Sequence, residues 1–268
     1  MLKEEERLVT EINTKFLPHV DVENDVWKID AESINYKDLN DLLRAICRSG
    51  ARRIEIHNVY GQRYIGTDLE SEVQIDIYGT PGNDLGAFMN GPRVVVHGNA
   101  QDGCGNTMNE GQIIVHGRAG DLTGHSMRGG EIFVRDDVGY RVGIHMKEYH
   151  SKKPHIVIGG TAQDFFGEYM AGGVMVILGL NLPEGGCCKA RFVGTGMHGG
   201  VIYERGDILE VGKGTKVMKV GKRDLRIIGS LVKEYCNHFG VDFEKVMSTR
   251  FRKIVPLSKR PYGELYSY

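Results

Sequence analysis

The chain is poor in the features that usually mark an active centre or a membrane anchor. Its 268 residues include five cysteines, Cys47, Cys104, Cys187, Cys188 and Cys236, and no two of them stand as C-x-x-C. That excludes the usual iron–sulfur ligand run and the usual dithiol motif. Cys187 and Cys188 are adjacent, but an odd thiol count in a chain with an intracellular cast favours free thiols over a redox pair. Neither sign of charge prevails: 34 Lys and Arg face 35 Asp and Glu, a net charge of −1, so no global field recruits nucleic acid or an anionic membrane. No apolar run reaches the roughly 18 residues that a membrane span needs. The opening MLKEEERLV lacks the apolar core of a signal peptide. The expectation is a cytoplasmic protein with no nucleic-acid or membrane partner.

Glycine, by contrast, is plentiful, at 37 residues. That is about double the roughly 7% background and follows no collagen period, so it points to corners that need positive φ or have no room for a Cβ. Met89, Met108, Met127 and Met146 lie 19 residues apart, and each follows a glycine by three: Gly86, Gly105, Gly124 and Gly143. Behind these anchors come Val94, Ile113 and Ile132 in one column and Val96, Val115 and Val134 in the next. Apolar, β-branched residues alternating with an outward residue read as strands. After Met146 the phase slips by five residues, which reads as a loop inserted at 147–154. It resumes at Met170 after Gly167 and again at Met197 after Gly194, while Leu69 after Gly66 begins the series. The pattern predicts an all-β solenoid, a parallel β-helix of about seven turns, above the roughly three turns that such a stack needs.

The flanks read as helical caps for the end turns. Residues 3–17 carry Leu8, Ile12 and Phe16 at helical spacing, and residues 36–48 place Leu39, Leu42, Leu43 and Ile46 on one face with Gly50 as the stop. Residues 52–59 read as a lead-in strand. Asp224 can cap a helix ending at Gly240, and Asp242 a shorter one. The division is thus 1–60, a helical lead-in; 61–206, the coil; and 207–268, a helical cap and tail. The stretch 250–268 has too few periodic apolar residues for a core of its own, so it either wraps on a surface or is ordered by a partner.

Several residues invite a chemical reading. Gly194-Thr-Gly196-Met-His-Gly199 is a literal GxGxxG, but a strand pattern follows it where a dinucleotide fold needs a helix. His97 and His116 would stack about 4.8 Å apart on neighbouring strands. Arg135 is next in their column and cannot ligate, so a surface ladder is the simpler reading than a metal site, which wants three or four ligands. Asp102 and Asp121 stack likewise, with Tyr140 interrupting before Asp164; Asp in such turns commonly binds backbone N–H groups. Cys104 shares a column with Leu85, Thr123, Val142, Phe166 and Val193, a mostly apolar face. The methionine column is a flexible gap-filling ladder before it is a soft-metal site. No catalytic, cofactor-binding or metal-binding residue is expected; the residues that matter are the structural ladder of Gly86, Gly105, Gly124, Gly143, Gly167 and Gly194 with Met89, Met108, Met127, Met146, Met170 and Met197.

The segments GNDLGAFMNGPRVVVHGNAQD and GCGNTMNEGQIIVHGRAGDLTGHSMRGGEIFV closely resemble the GXGXG domain that ends the large subunit of glutamate synthase and also forms a subunit of formylmethanofuran dehydrogenase. NVYGQRYIGTDL and LRIIGSLVKEYCNHFG resemble the glutamate synthase version more closely. The resemblance implies a single-stranded, right-handed β-helix that binds no cofactor and braces a glutaminase domain against a flavin barrel. The N-terminal nucleophilic cysteine of the glutaminase half and the cysteine cluster of the flavin half are missing here. The resemblance therefore implies the third domain encoded separately, with a glutaminase subunit and an FMN- and Fe–S-containing subunit as partners and a homo-oligomer compatible with the pattern. The alternatives are the matching scaffold of a formylmethanofuran dehydrogenase-like or amino-acid methyltransferase-like complex, and an independent β-helix enzyme acting on carbohydrate.

Overall fold

A computed structural model describes residues 18–183 and 186–258. The helix expected at 3–17 and the last ten residues lie outside the described residues. The chain runs β1 (Val20–Glu23), β2 (Val26–Asp30), α1 (Tyr36–Arg48), β3 (Arg53–Tyr60), β4 (Gln74–Thr80), β5 (Asn90–His97), β6 (Glu110–Val115), β7 (Glu131–Val134), β8 (His155–Ile158), β9 (Ala171–Ile177), β10 (Gly199–Arg205), β11 (Thr215–Lys219), α2 (Lys222–Phe239), α3 (Phe243–Met247) and β12 (Phe251–Pro256). Among the described residues the twelve strands form one sheet in the order β1-β2-β3-β4-β5-β6-β7-β8-β9-β10-β12-β11. From β2 to β10 every neighbour pairs in parallel, one strand to each winding of the chain. Seven strands, β4 to β10, bound six windings, so the solenoid has about six turns rather than seven.

The ladders lie in the expected register. Ile75, Val94, Ile113, Ile132 and Ile156 are Cα partners in succession, and so are Ile77, Val96, Val115, Val134 and Ile158. All ten are fully buried. The 147–154 insertion bulges out and returns at β8 with the register of β7 intact. It is pinned to the coil: Lys152 Nζ reaches Asn90 Oδ1 at 3.1 Å and Glu110 Oε2 at 2.7 Å.

Helix α1 closes the first turn as expected. The Asn35 carboxamide oxygen accepts the N–H groups of Lys37 and Asp38, and Leu39, Leu42, Leu43 and Ile46 are buried in the solenoid core. The C-terminal helix departs from expectation twice. It starts at Lys222, and Asp224 sits inside its first turn, accepting the Gly221 N–H at 2.9 Å. Nor does it cover the end of the coil. It lies along the side, where Ile228, Leu231, Val232 and Tyr235 pack on Val95, Ile114, Phe133, Val157, Val176 and Tyr203, the residues between the interior ladders. The triplets VVV, IIV, IFV and IVI had that meaning: a strand buried on both faces reads as a continuous apolar run, not as an alternation.

Of the two courses expected for the tail, residues Phe251–Pro256 take the one within the chain itself. They form β12, antiparallel between β10 and β11, with Phe251 and Ile254 buried. A hairpin of β1 and β2 precedes the expected lead-in strand and had no periodic signal long enough to show it.

Candidate functional site

The most regular feature of the molecule is the corner that leads into each strand. In every turn three residues adopt left-handed φ, at five, three and one positions before the anchor. Before Met89 these are Asp84, Gly86 and Phe88; before Met108, Gly103, Gly105 and Thr107; before Met127, Leu122, Gly124 and Ser126. The next turns continue with Arg141, Gly143 and His145, then Phe165, Gly167 and Tyr169, then Phe192, Gly194 and Gly196. Alternating left-handed residues turn the peptide planes so that the corner bonds in both directions. The Gly105 N–H donates to Leu85 O of the turn before at 2.8 Å, and the Thr107 N–H to His125 O of the turn after at 2.7 Å. No corner amide in these pairs is left unsatisfied, the condition for burying a turn at all.

Only the middle position is always glycine, and its surroundings explain why. A Cβ on Gly105 would meet Ile132 Cδ1 at 2.4 Å, and one on Gly124 would meet Ile156 Cδ1 at 2.3 Å. The middle position faces the ladder of the following turn, whereas the flanking positions carry side chains as large as Phe88 and Leu122 at the cost of left-handed strain. Met89, Met108, Met127, Met146 and Met170 are fully buried and Met197 nearly so. Both columns therefore lie against the packed interior of the coil.

The outward corner positions make a distinct surface. Tyr64, Phe88, Leu122, Tyr169 and Phe192 are each at least a third exposed in spite of their size. Phe165 and Phe192 stack with centroids 5.0 Å apart, and the guanidinium of Arg141 lies 5.3 Å from the Phe165 ring. Large residues held in left-handed backbone on a surface persist where something outweighs the strain, and such positions collect at functional sites. An exposed aromatic edge of this kind suits contact with another protein.

The polar candidates are absorbed by the coil itself. The Asp102 carboxylate accepts the Asp121 N–H at 2.9 Å, Asp121 accepts the Tyr140 N–H at 2.8 Å, and Asp164 accepts the Arg191 N–H at 2.9 Å. Each aspartate thus ties its turn to the next one, not to its own backbone. His97 and His116 stack at 5.5 Å in a longer ladder, with His57 and Tyr78 on one side at 4.5 Å spacings and the edge of Phe239 on the other. Burial, foremost, and the neighbouring His97 hold the His116 imidazole below its ordinary pKa. Among the described residues no group of three His, Cys, Asp or Glu is placed to hold a metal ion. Burial pushes the Cys104 thiol up to about 12, which keeps it protonated and unreactive. The GxGxxG run occupies a corner, Gly194 and Gly196 being left-handed, and opens into β10 instead of a helix.

One residue escaped the sequence reading. Glu204 is the Cα partner of Ile177 and so continues the interior valine and isoleucine ladder. It is only 2% exposed, and its Oε1 has no hydrogen-bond partner. Burial raises its pKa to about 7, against the Cys188 backbone N–H, which lowers it. Its place in the repeat, seven after Met197 where aliphatic residues stand in other turns, was the available signal.

A parallel β-solenoid with a thrice left-handed, glycine-centred corner in every turn is what this arrangement defines. The chain belongs to the GXGXG motif family, whose profile matches residues 37–258. It is also similar to an uncharacterised protein of Methanocaldococcus jannaschii, 48% identical over 249 residues that make up 89% of this chain and 95% of the relative. Among the described residues no helix is long and apolar enough to cross a membrane.

Proposed function

We propose that this chain is a non-catalytic scaffold subunit of a cytoplasmic glutamate synthase-like complex. In that complex a glutaminase subunit releases ammonia from glutamine, and a subunit carrying FMN and an iron–sulfur centre reduces the imine formed with 2-oxoglutarate to glutamate. The observation that carries the reading is that the GXGXG region accounts for nearly the whole chain. A rod of turns, each corner bonded to the turn on either side, is suited to setting the distance and orientation of two larger bodies. Its interior is filled by side chains and its aspartate column is engaged by backbone N–H groups, which fits a supporting role better than a chemical one. The exposed aromatic edge and the pinned 147–154 loop are the surfaces we assign to partner contact.

Purification of the complex from native cells, with identification of what travels with this chain, tests the proposal. A glutaminase and a flavin-containing subunit are expected in fixed ratio, and the chain alone should be colourless and inert toward glutamine. Partners of the formylmethanofuran dehydrogenase type, glycan cleavage by the isolated chain, or a visible chromophore retained on it after desalting would overturn the assignment.

A further inference from the structure

Among the described residues the twelve-stranded sheet is open at both rims, β1 at one and β11 at the other. The rims carry opposite charge. On β1 and its turn stand Asp21, Glu23 and Asp25, offset by Lys28, which pairs with Glu23. On β11 stand Lys216 and Lys219, with Lys213 and Lys222 just outside it, and none of the four makes an ion pair among the described residues. Each rim also exposes apolar side chains: Val22 is 48% exposed, and Val217 and Met218 are 45% exposed.

We propose that the chain assembles head to tail with second copies of itself, β11 of one protomer adding as a strand to β1 of the next. Strand polarity fits. β2 to β10 run one way, β12 runs back, and β11 again runs with β2 to β10, while β1 runs against them. A copy displaced along the solenoid axis therefore meets its neighbour with β11 and β1 antiparallel, the pairing that a single sheet accepts directly. One register sets Lys216 opposite Glu23 and Val217 opposite Val22. The same charges forbid the two-fold alternatives, because β11 against β11 opposes lysines and β1 against β1 opposes carboxylates. Edge lysines ordinarily discourage pairing of any kind; here they discourage only like with like. A contact between unlike surfaces does not close on itself, so it makes rows of copies. At about 4.8 Å per strand, twelve strands set an axial repeat of roughly 58 Å.

Sedimentation velocity of the full chain over a range of concentrations, at low and at high salt, tests it. At low salt the mass should grow with concentration in steps of 29.9 kDa, and it should recede at high salt, where screening shortens the reach of the rim charges. Lys216→Glu with Lys219→Glu should leave monomer alone, and so should Asp21→Lys with Glu23→Lys. An equimolar mixture of those two variants should assemble again, since each presents the rim that the other has lost. All four side chains are exposed, so melting near that of the parent is expected of both variants. Lys216→Glu alone serves if a double variant does not fold. A wild-type chain that stays monomeric throughout, assembly indifferent to charge reversal, or a mixture that remains monomeric would overturn the proposal.

Discussion

Replacing Glu204 by glutamine should stabilise the protein at alkaline pH and leave it little changed at acid pH. The carboxyl sits in the aliphatic column beside Ile177, almost wholly buried, with one oxygen unpartnered. A carboxyl whose pKa rises on folding contributes fully below its unfolded pKa, and that contribution is lost as pH climbs through the folded one. For Glu204 the window runs from 4.5 to about 7. At about 1.4 kcal/mol per pKa unit, the shift corresponds to roughly 3 kcal/mol lost between pH 4.5 and pH 8. Glutamine keeps the size and the acceptor for the Cys188 N–H but does not titrate. The assay is urea unfolding of parent and variant at half-unit steps of pH. The difference between the two proteins removes the other titrating groups, so it should rise by roughly 3 kcal/mol across the window and flatten above pH 7. A difference independent of pH would refute the burial of this carboxyl, and a fall with rising pH would reverse the sign of the reasoning.

Other substitutions probe the ladder, the corner and the tail. Ile113→Asp sets a carboxylate between Val94 and Ile132 and should cost several kcal/mol, seen as aggregation or loss of cooperative melting. Arg118→Ser, at a side chain 71% exposed, should move the midpoint little. Gly105→Ala combines left-handed strain with the 2.4 Å approach to Ile132 and should cost about 1–3 kcal/mol or more, whereas Leu122→Gly, at an outward corner position, should be nearly neutral by thermal melting. A chain ending at Arg250 loses β12 with the buried Phe251 and Ile254 and should melt well below one ending at Ser258.

The solenoid was legible because its period is local and repeated. One glycine and one methionine per turn, with two aliphatic columns behind them, leave a single consistent way for Met89 to Met197 to stack, and the structure puts each of those side chains inside. The central corner glycines were legible for the same reason, but not why only they are invariant along the stack. That depends on Ile132 and Ile156 of the following turns pressing against positions 105 and 124, a contact between residues 27 and 32 apart in the chain. The left-handed aromatic edge was illegible because φ at Phe88 or Tyr169 is imposed by bonds to neighbouring turns and not by the residue's own preference. The tertiary structure alone decided where the flanks go. The apolar face of α2 was plain in the sequence, but its docking along the side of the coil depends on Phe133 and its column being apolar on both faces of the strand. Residues 251–256 lacked a strand-like alternation because only Phe251 and Ile254, three residues apart, are buried; pairing with β10 and β11 makes the segment a strand. Glu204 lay in plain view at a ladder position, and only the packing around it showed that its carboxyl has left water.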